Sequence, residues 1–291
     1  MIESPVTRDE ILRAFGRAFT RPENTRQHHS KPRASALASC ARQQAYDMAA
    51  TIQDGIGVTG SRLSYDADLT SEQGRAFEGL MERTLSSIGI EVVGAQTTLP
   101  DSYPVSGHPD GELDLSAYNA SSQDTTPQLK WGVEFKHLGR FGYEKALKYG
   151  LRAGHPQYVL QAGLYGDALG WDAVLWIVSS QDASSIRADA AASLRYKTPS
   201  ARWAEMIDWH PKLHLETLEI KEVQNGLLPV AKARARWLTT WKSEDGDPAG
   251  VAREYVPENG QFPCTYCPYL KTCLTDGDGG QRAPELPFRM D

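Results

Sequence analysis

The sequence predicts an α/β protein: a mixed central sheet flanked by helices, with helical segments at both ends. Three observations carry this. A helical apolar stripe over 71–88 is followed by three strand-like segments. Two further helical stretches then lead into a short, continuous apolar run at 173–178. Helical periodicity returns at 227–241. Switching between a period near 3.6 and a period of 2 is the pattern of a sheet with helices laid on its faces.

Each element has a local reason. Leu12, Phe15 and Phe19 stand at helical spacing, a polar gap runs from Arg21 to Pro32, and the Ala- and Gln-rich stretch 34–50 reads as a second helix. The Gly-rich residues 54–60 form a loop. In the helix over 71–88, Ser71 can serve as cap, and Phe77, Leu80, Met81 and Leu85 share one face. Residues 91–99 are β-branched; 111–117 and 131–138 alternate in strand fashion, with a polar loop tip at 119–127 between them. Helices follow at 143–151 and 156–169. The run Ala-Val-Leu-Trp-Ile-Val at 173–178 suits a strand buried on both faces. Residues 183–209 read as helical in pieces, 227–241 as one helix, and the tail from Asp276 is expected to fray. The expected division is a helical segment at 1–70, a core at 71–225, and a helix with a cysteine-bearing segment at 226–291.

Composition narrows the class. Hydrophobic residues make up 40% and charged residues 23% of 291, ordinary for a globular chain. No run of 18 apolar residues is present, so no membrane partner is expected. The first residues lack a basic stretch followed by an apolar one, and the cytoplasm is the expected compartment. The net charge of −6 argues against a surface coated in basic groups, but a local basic groove can coexist with it. Two basic groups stand out, Arg8 to Arg26 near the start and Lys232, Arg234 and Arg236 near the end; both read as solvated helix faces.

The chemistry is carried by three short segments in order: Ser106-Gly107-His108-Pro109-Asp110-Gly111, Val133-Glu134-Phe135-Lys136, and Gln161-Ala162-Gly163-Leu164-Tyr165. Residues two apart on a strand share a face, so Glu134 and Lys136 project together while Val133 and Phe135 face the core. A carboxylate beside an ammonium suits phosphodiester hydrolysis. The carboxylate holds a hard divalent cation, and the amine positions the attacking water or stabilises charge on phosphate. Asp110, between a proline and a glycine at the mouth of a strand, can reach the same cation. Glu78 on the preceding helix can add a third ligand, with Glu82 one turn further as the alternative. Gln161 and Tyr165, four apart, share a helix face. Singly, each of these patterns is common on strands, turns and helices; the ordered set is what is specific.

The order Gly74-x-x-x-Glu78, Gly107-x-x-Asp110, Glu134-x-Lys136, Gln161-x-x-x-Tyr165 resembles the RecB-like nucleases of the PD-(D/E)XK superfamily. The resemblance implies a restriction-endonuclease-like core in which Asp110 and Glu134 bind magnesium or manganese and Lys136 is catalytic. It also implies that Gln161 and Tyr165 lie beside the site and contact DNA. Many members carry a histidine where this chain has Glu78; a glutamate still binds a hard metal, though the preferred ion can shift.

The four cysteines suit metal or cluster ligation better than disulfides in a cytoplasmic chain. Cys264-x-x-Cys267-x5-Cys273 lies near the end and Cys40 far upstream. Four thiolates fit a [4Fe–4S] cluster or a structural zinc; zinc sites usually pair two Cys-x-x-Cys knuckles, and this chain has one. The pattern resembles the four-cysteine cluster of RecB-like nucleases, including the AddB and CRISPR-associated or phage exonuclease groups, where one cysteine precedes the nuclease motifs and three follow. Ligation would clamp the two ends together.

The resulting expectation is a Mg- or Mn-dependent exonuclease acting on DNA with free or single-stranded ends, in recombination, repair or processing. No Walker-type loop is present, so a helicase or recombinase partner would supply any motor. The alternatives are a non-catalytic DNA-binding module and a structural subunit of a DNA-processing complex; RNA remains open as a substrate.

Overall fold

The computed structural model describes residues 30–49, 65–117, 129–180, 213–244, 246–255, 264, 267, 269–277 and 279–288, with backbone alone for 65–71 and 271. The expected helix around Leu12 to Phe19, the loop at 54–60, the loop tip at 119–127 and the helical pieces at 183–209 lie outside these residues.

A mixed five-stranded sheet forms the centre. Its strands are β1 (Glu91–Val93), β2 (Gly111–Asp114), β3 (Trp131–Leu138), β4 (Ala173–Ser180) and β5 (Leu213–Glu219), in spatial order β1-β2-β3-β4-β5. All neighbours are antiparallel except β3 and β4. That parallel pair needs a crossover, supplied by α3 (Arg140–Gly154) and α4 (Pro156–Leu169). The other helices are α1 (Ala41–Ala49), α2 (Tyr65–Ser86), α5 (Lys221–Gln224), α6 (Leu227–Ser243) and α7 (Leu270–Thr275).

The two faces of the sheet are covered differently. On one, Phe77 and Met81 of α2 pack on Val133, Phe135 and Ile177. On the other, Val174, Trp176 and Val178 of β4 meet Leu160 and Leu164 of α4, and the same cluster takes in Leu37 and Ala45 from the N-terminal segment and Leu228 and Leu238 from α6. β4 is therefore buried on both faces, which explains its unbroken apolar sequence. No helix among the described residues is long and apolar enough to cross a membrane.

Several boundaries differ from the sequence reading. α2 begins at Tyr65, which places Ser71 within the helix and not at its start. The stretch 34–50 splits into a 3-10 turn (Ala34–Ala36) and α1. β1 stops at Val93 because Gly94 and Gln96 take left-handed backbone angles (φ 62° and 58°). β2 stops at Asp114, whose Oδ1 accepts the Ser116 N–H at 2.9 Å and turns the chain. α3 is longer than 143–151 and is broken at Gly150 (φ 72°, ψ 169°). The N–H groups that the break frees, on Leu151 and Arg152, are taken up by the Glu216 carboxylate at 2.6 and 3.4 Å. β5 was not expected as a strand.

A candidate metal and phosphodiester site

The pairing of Gly111 with Val133 brings the turn carrying Asp110 against the middle of β3. Asp110 Oδ2 accepts the Phe135 N–H at 2.7 Å. Beside it, Glu134 is 1% exposed, and Lys136 Nζ donates to its Oε2 at 2.6 Å. The other carboxylate oxygen, Oε1, is buried with no hydrogen-bond partner. The alternation of β3 is as the sequence reading had it: Val133 and Phe135 enter the opposite apolar layer.

The charges act on one another. Burial pushes the Glu134 carboxyl up to about 7; the Lys136 ammonium pulls against this and the Asp110 carboxylate adds to it. Burial works against the charge on Lys136, but Glu134 and Asp110 outweigh it and hold the amine protonated, above its ordinary range. Glu78, reaching in from α2, is raised by burial and by Asp110, with Lys136 opposing. Glu82 bears on this group only as a neighbour of Glu78. Glu78, Asp110, Glu134 and Lys136 thus share one electrostatic field.

Tyr165 is 2% exposed. Gln161 Nε2 donates to its hydroxyl oxygen at 3.4 Å, and its ring lies against Gly107, where a Cβ would fall 2.7 Å from that oxygen. Tyr165 therefore backs the turn that presents Asp110, while the half-buried Gln161 is the more accessible of the two. Burial and then the Glu134 charge push the tyrosine hydroxyl up to about 12.

Sequence reasoning missed Tyr158. Its ring lies 5.4 Å from Lys136 Nζ and stacks on His155 at 5.2 Å; His155 Nε2 donates to the Gly142 carbonyl at 2.7 Å. Tyr158 precedes Gln161 by three, which places it near the same helix face; that spacing was the available signal. His137, by contrast, faces away from Lys136, stacked on Phe77, and His108 lines its turn against the Gln96 carbonyl.

The four cysteines gather at a second place. Cys40, Cys264, Cys267 and Cys273 line one pocket with Arg42, Tyr46 and Arg253, and none is in a disulfide. Burial pushes Cys267 up to about 11, and the other three cysteines add to the effect; burial also raises Cys40. Such thiols become thiolates only with positive charge nearby. One buried arginine, Arg42, lines this pocket, and a second, Arg234, ties neighbouring segments together. Arg42, 1% exposed, donates to the carbonyls of Ala249, Val251, Gly277 and Gly279, and its Nη1 lies 3.9 Å from Cys273 Sγ. Arg234, equally buried, holds Glu254 at 2.5 and 2.7 Å and the Ser39 carbonyl at 2.8 Å. This corrects the reading of the C-terminal basic group as a solvated helix face: Lys232 pairs with Asp167 at 2.5 Å, and of the three only Arg236 is exposed.

Among the described residues no set of three or more His, Cys, Asp or Glu stands in metal-holding geometry. No family model and no curated protein matches the chain. A solved structure described as "Crystal structure of SSO0001" aligns with 92% of this chain and 97% of that one at 10% identity, with a TM-score of 0.41. A likeness that weak carries no argument about fold or function.

Proposed function

We propose that this chain is a metal-dependent DNA nuclease of the PD-(D/E)XK type, acting on free or single-stranded ends. The observation that carries it is the buried, unpartnered Oε1 of Glu134 beside Asp110 and Lys136. A buried carboxylate oxygen without a partner is costly and calls for an explanation. A hard divalent cation is the partner such an oxygen takes. Asp110 and Glu134 would hold magnesium or manganese, with Glu78 completing the acidic set. When bound, the cation supplies Lewis acidity toward a phosphoryl oxygen and makes a bound water more acidic.

The chain's own residues do the rest. The hydrogen bond from Phe135 N–H fixes the Asp110 carboxylate. Lys136, held protonated by its two carboxylate neighbours, stabilises charge developing on the phosphate and orients the attacking water. Tyr158 covers one side of that amine. Gln161, half-buried beside the site, is the group left to touch the strand.

For the second centre we propose a [4Fe–4S] cluster on Cys40, Cys264, Cys267 and Cys273. Four thiols lining one pocket are the donor set such a cluster uses, and the Arg42 and Arg253 guanidinium groups beside them favour its negative charge. With no motor motif of its own, the chain would work alone or beside a helicase or recombinase.

The test is end-labelled DNA with magnesium or manganese, wild type against Lys136→Ala. Loss of cleavage in the variant is expected; a variant that cuts as fast as its parent ends the catalytic assignment. Anaerobic purification tests the cluster separately. Iron and acid-labile sulfide in equal amounts, lost in Cys267→Ser, are expected; zinc in their place overturns it.

A further inference from the structure

We infer that the outer face of α3 is a track for single-stranded DNA leading to the phosphodiester site, an inference that rests on the nuclease reading and specifies its substrate path. The residues at issue are Phe141, Lys145, Lys148 and Tyr149. At 100° per residue they fall within about one quarter to one third of the helix circumference. Tyr143 and Ala146, on the opposite side, are buried.

Phe141 is 85% exposed, the most exposed large apolar side chain among the described residues. Phe141 and Tyr149 are the only aromatics in that exposed set, and both lie on α3. Lys145 and Lys148 are exposed too. Neither makes an ion pair among the described residues, whereas the flanking Arg140 and Arg152 are neutralised by Glu144 and Glu222. Lys148 Nζ lies 4.8 Å from the Tyr149 ring centre. Aromatic faces set beside amines are what a single strand uses: bases stack on the rings and phosphates meet the amines. Two lysines without an ion-pair partner among the described residues, on a chain of net charge −6, favour a polyanion over an acidic protein face of no fixed spacing.

The track starts at the site. α3 opens two residues after β3 ends, and Phe141 lies five positions beyond Lys136, a reach of at most about 18 Å. A chain of contacts closes the gap further. Lys136 lies against Tyr158, Tyr158 stacks on His155, and His155 donates to the carbonyl of Gly142, next to Phe141. From Phe141 to Tyr149 the helix rises about 12 Å, room for a few nucleotides.

The test is fluorescence anisotropy with a labelled oligothymidylate of about 15 nucleotides and full-length protein, in calcium in place of magnesium or manganese. Phe141→Leu keeps an apolar side chain and removes the stacking ring; affinity should fall about tenfold, with the salt dependence unchanged. Lys145→Gln with Lys148→Gln should lower the slope of log affinity against log salt by about 1.4. The exposure of all three side chains keeps the fold out of the result, and Phe141→Trp should restore binding. Wild-type hydrolysis of bis(p-nitrophenyl) phosphate with manganese, compared with Lys136→Ala, is measured in parallel. Wild-type affinity and slope in the α3 variants, with that hydrolysis intact, overturn the track alone. No wild-type hydrolysis, with the α3 variants weakened as described, overturns the nuclease reading and leaves a strand-binding surface. Binding that survives Phe141→Leu but responds to duplex or to a protein instead also overturns the track.

Discussion

Lys136 Nζ engages one oxygen of Glu134, Oε2, at 2.6 Å and leaves the other, Oε1, buried and bare. The pair is therefore half satisfied. Burial raises the Glu134 carboxyl to about 7, so near neutrality a proton competes with any metal. The sign is fixed. A raised carboxyl favours the protonated folded state, so its stabilising effect is full below the ordinary glutamate range and is lost as pH rises through about 7. Metal binding has the opposite slope, since it needs the ionised form. Manganese affinity should rise as pH climbs through about 7 and release a proton on binding. Calorimetry in buffers of different ionisation heat checks this, and an affinity flat across that range would remove Glu134 from the ligand set.

Asp110 has two duties that substitution can separate. Its Oδ2 accepts the Phe135 N–H, and its charge belongs to the proposed metal site. Asparagine keeps an acceptor oxygen and loses the charge, so Asp110→Asn should melt close to wild type while metal binding and cleavage are lost. Asp110→Ala also strands the Phe135 N–H inside the sheet, at a further cost of about 1–3 kcal/mol. Thermal melts beside manganese titrations distinguish the two. Equal destabilisation by both variants would show that the charge, and not the hydrogen bond, holds the turn.

How far the sequence could lead is itself a matter of these distances. The Glu134–Lys136 face and the two-sided burial of β4 are short-range patterns, and period 2 and an apolar run expose them. Pro156 and the left-handed Gly170 (φ 68°) mark both ends of α4. β5 was hidden because its pattern is inverted: Leu213 and Leu215 are exposed while His214 and Glu216 turn inward, where Glu216 serves the break in α3. The burial of Arg42 and Arg234 was not legible either, because their partners lie in distant segments, up to 237 residues away for Arg42. A lone arginine on a polar helix gives no local sign of such partners.

The break in α3 gives a stability prediction of its own. Gly150 takes φ 72°, and a Cβ there would sit 3.2 Å from Glu216 Oε2. Gly150→Ala meets both the cost of a positive-φ, extended-ψ backbone region that is essentially restricted to glycine (φ 72°, ψ 169°) and the carboxylate that caps the break, and should cost about 1–3 kcal/mol. Glu216→Ala leaves the Leu151 and Arg152 N–H groups unpaired and should cost about 1–3 kcal/mol. The two share one partner, so the double variant should cost less than the sum. Urea unfolding of the four proteins checks this; strict additivity would mean that Gly150 and Glu216 do not act together.

Arg42 bears on what holds the two ends of the chain together. Ligation of four cysteines was expected to be the clamp, yet the Arg42 guanidinium already donates to four carbonyls of the C-terminal segment. Arg234 and Glu254 add a second tie, with Glu254 Oε2 accepting the Ala41 N–H at 2.9 Å. Hydrogen bonds from a buried charge are worth about 1.5–3 kcal/mol each before desolvation is subtracted. Cys40→Ser or Cys267→Ser should therefore lose iron and sulfide but keep α1 and the segment 246–255 protected from amide exchange. Arg42→Ala should lose at least about 3 kcal/mol and open that segment, and cluster loading should fall with it, because the pocket would no longer be formed. Amide exchange followed by mass spectrometry reads both. If the serine variants opened as widely as Arg42→Ala, ligation would be the clamp after all and the arginine a passenger on it.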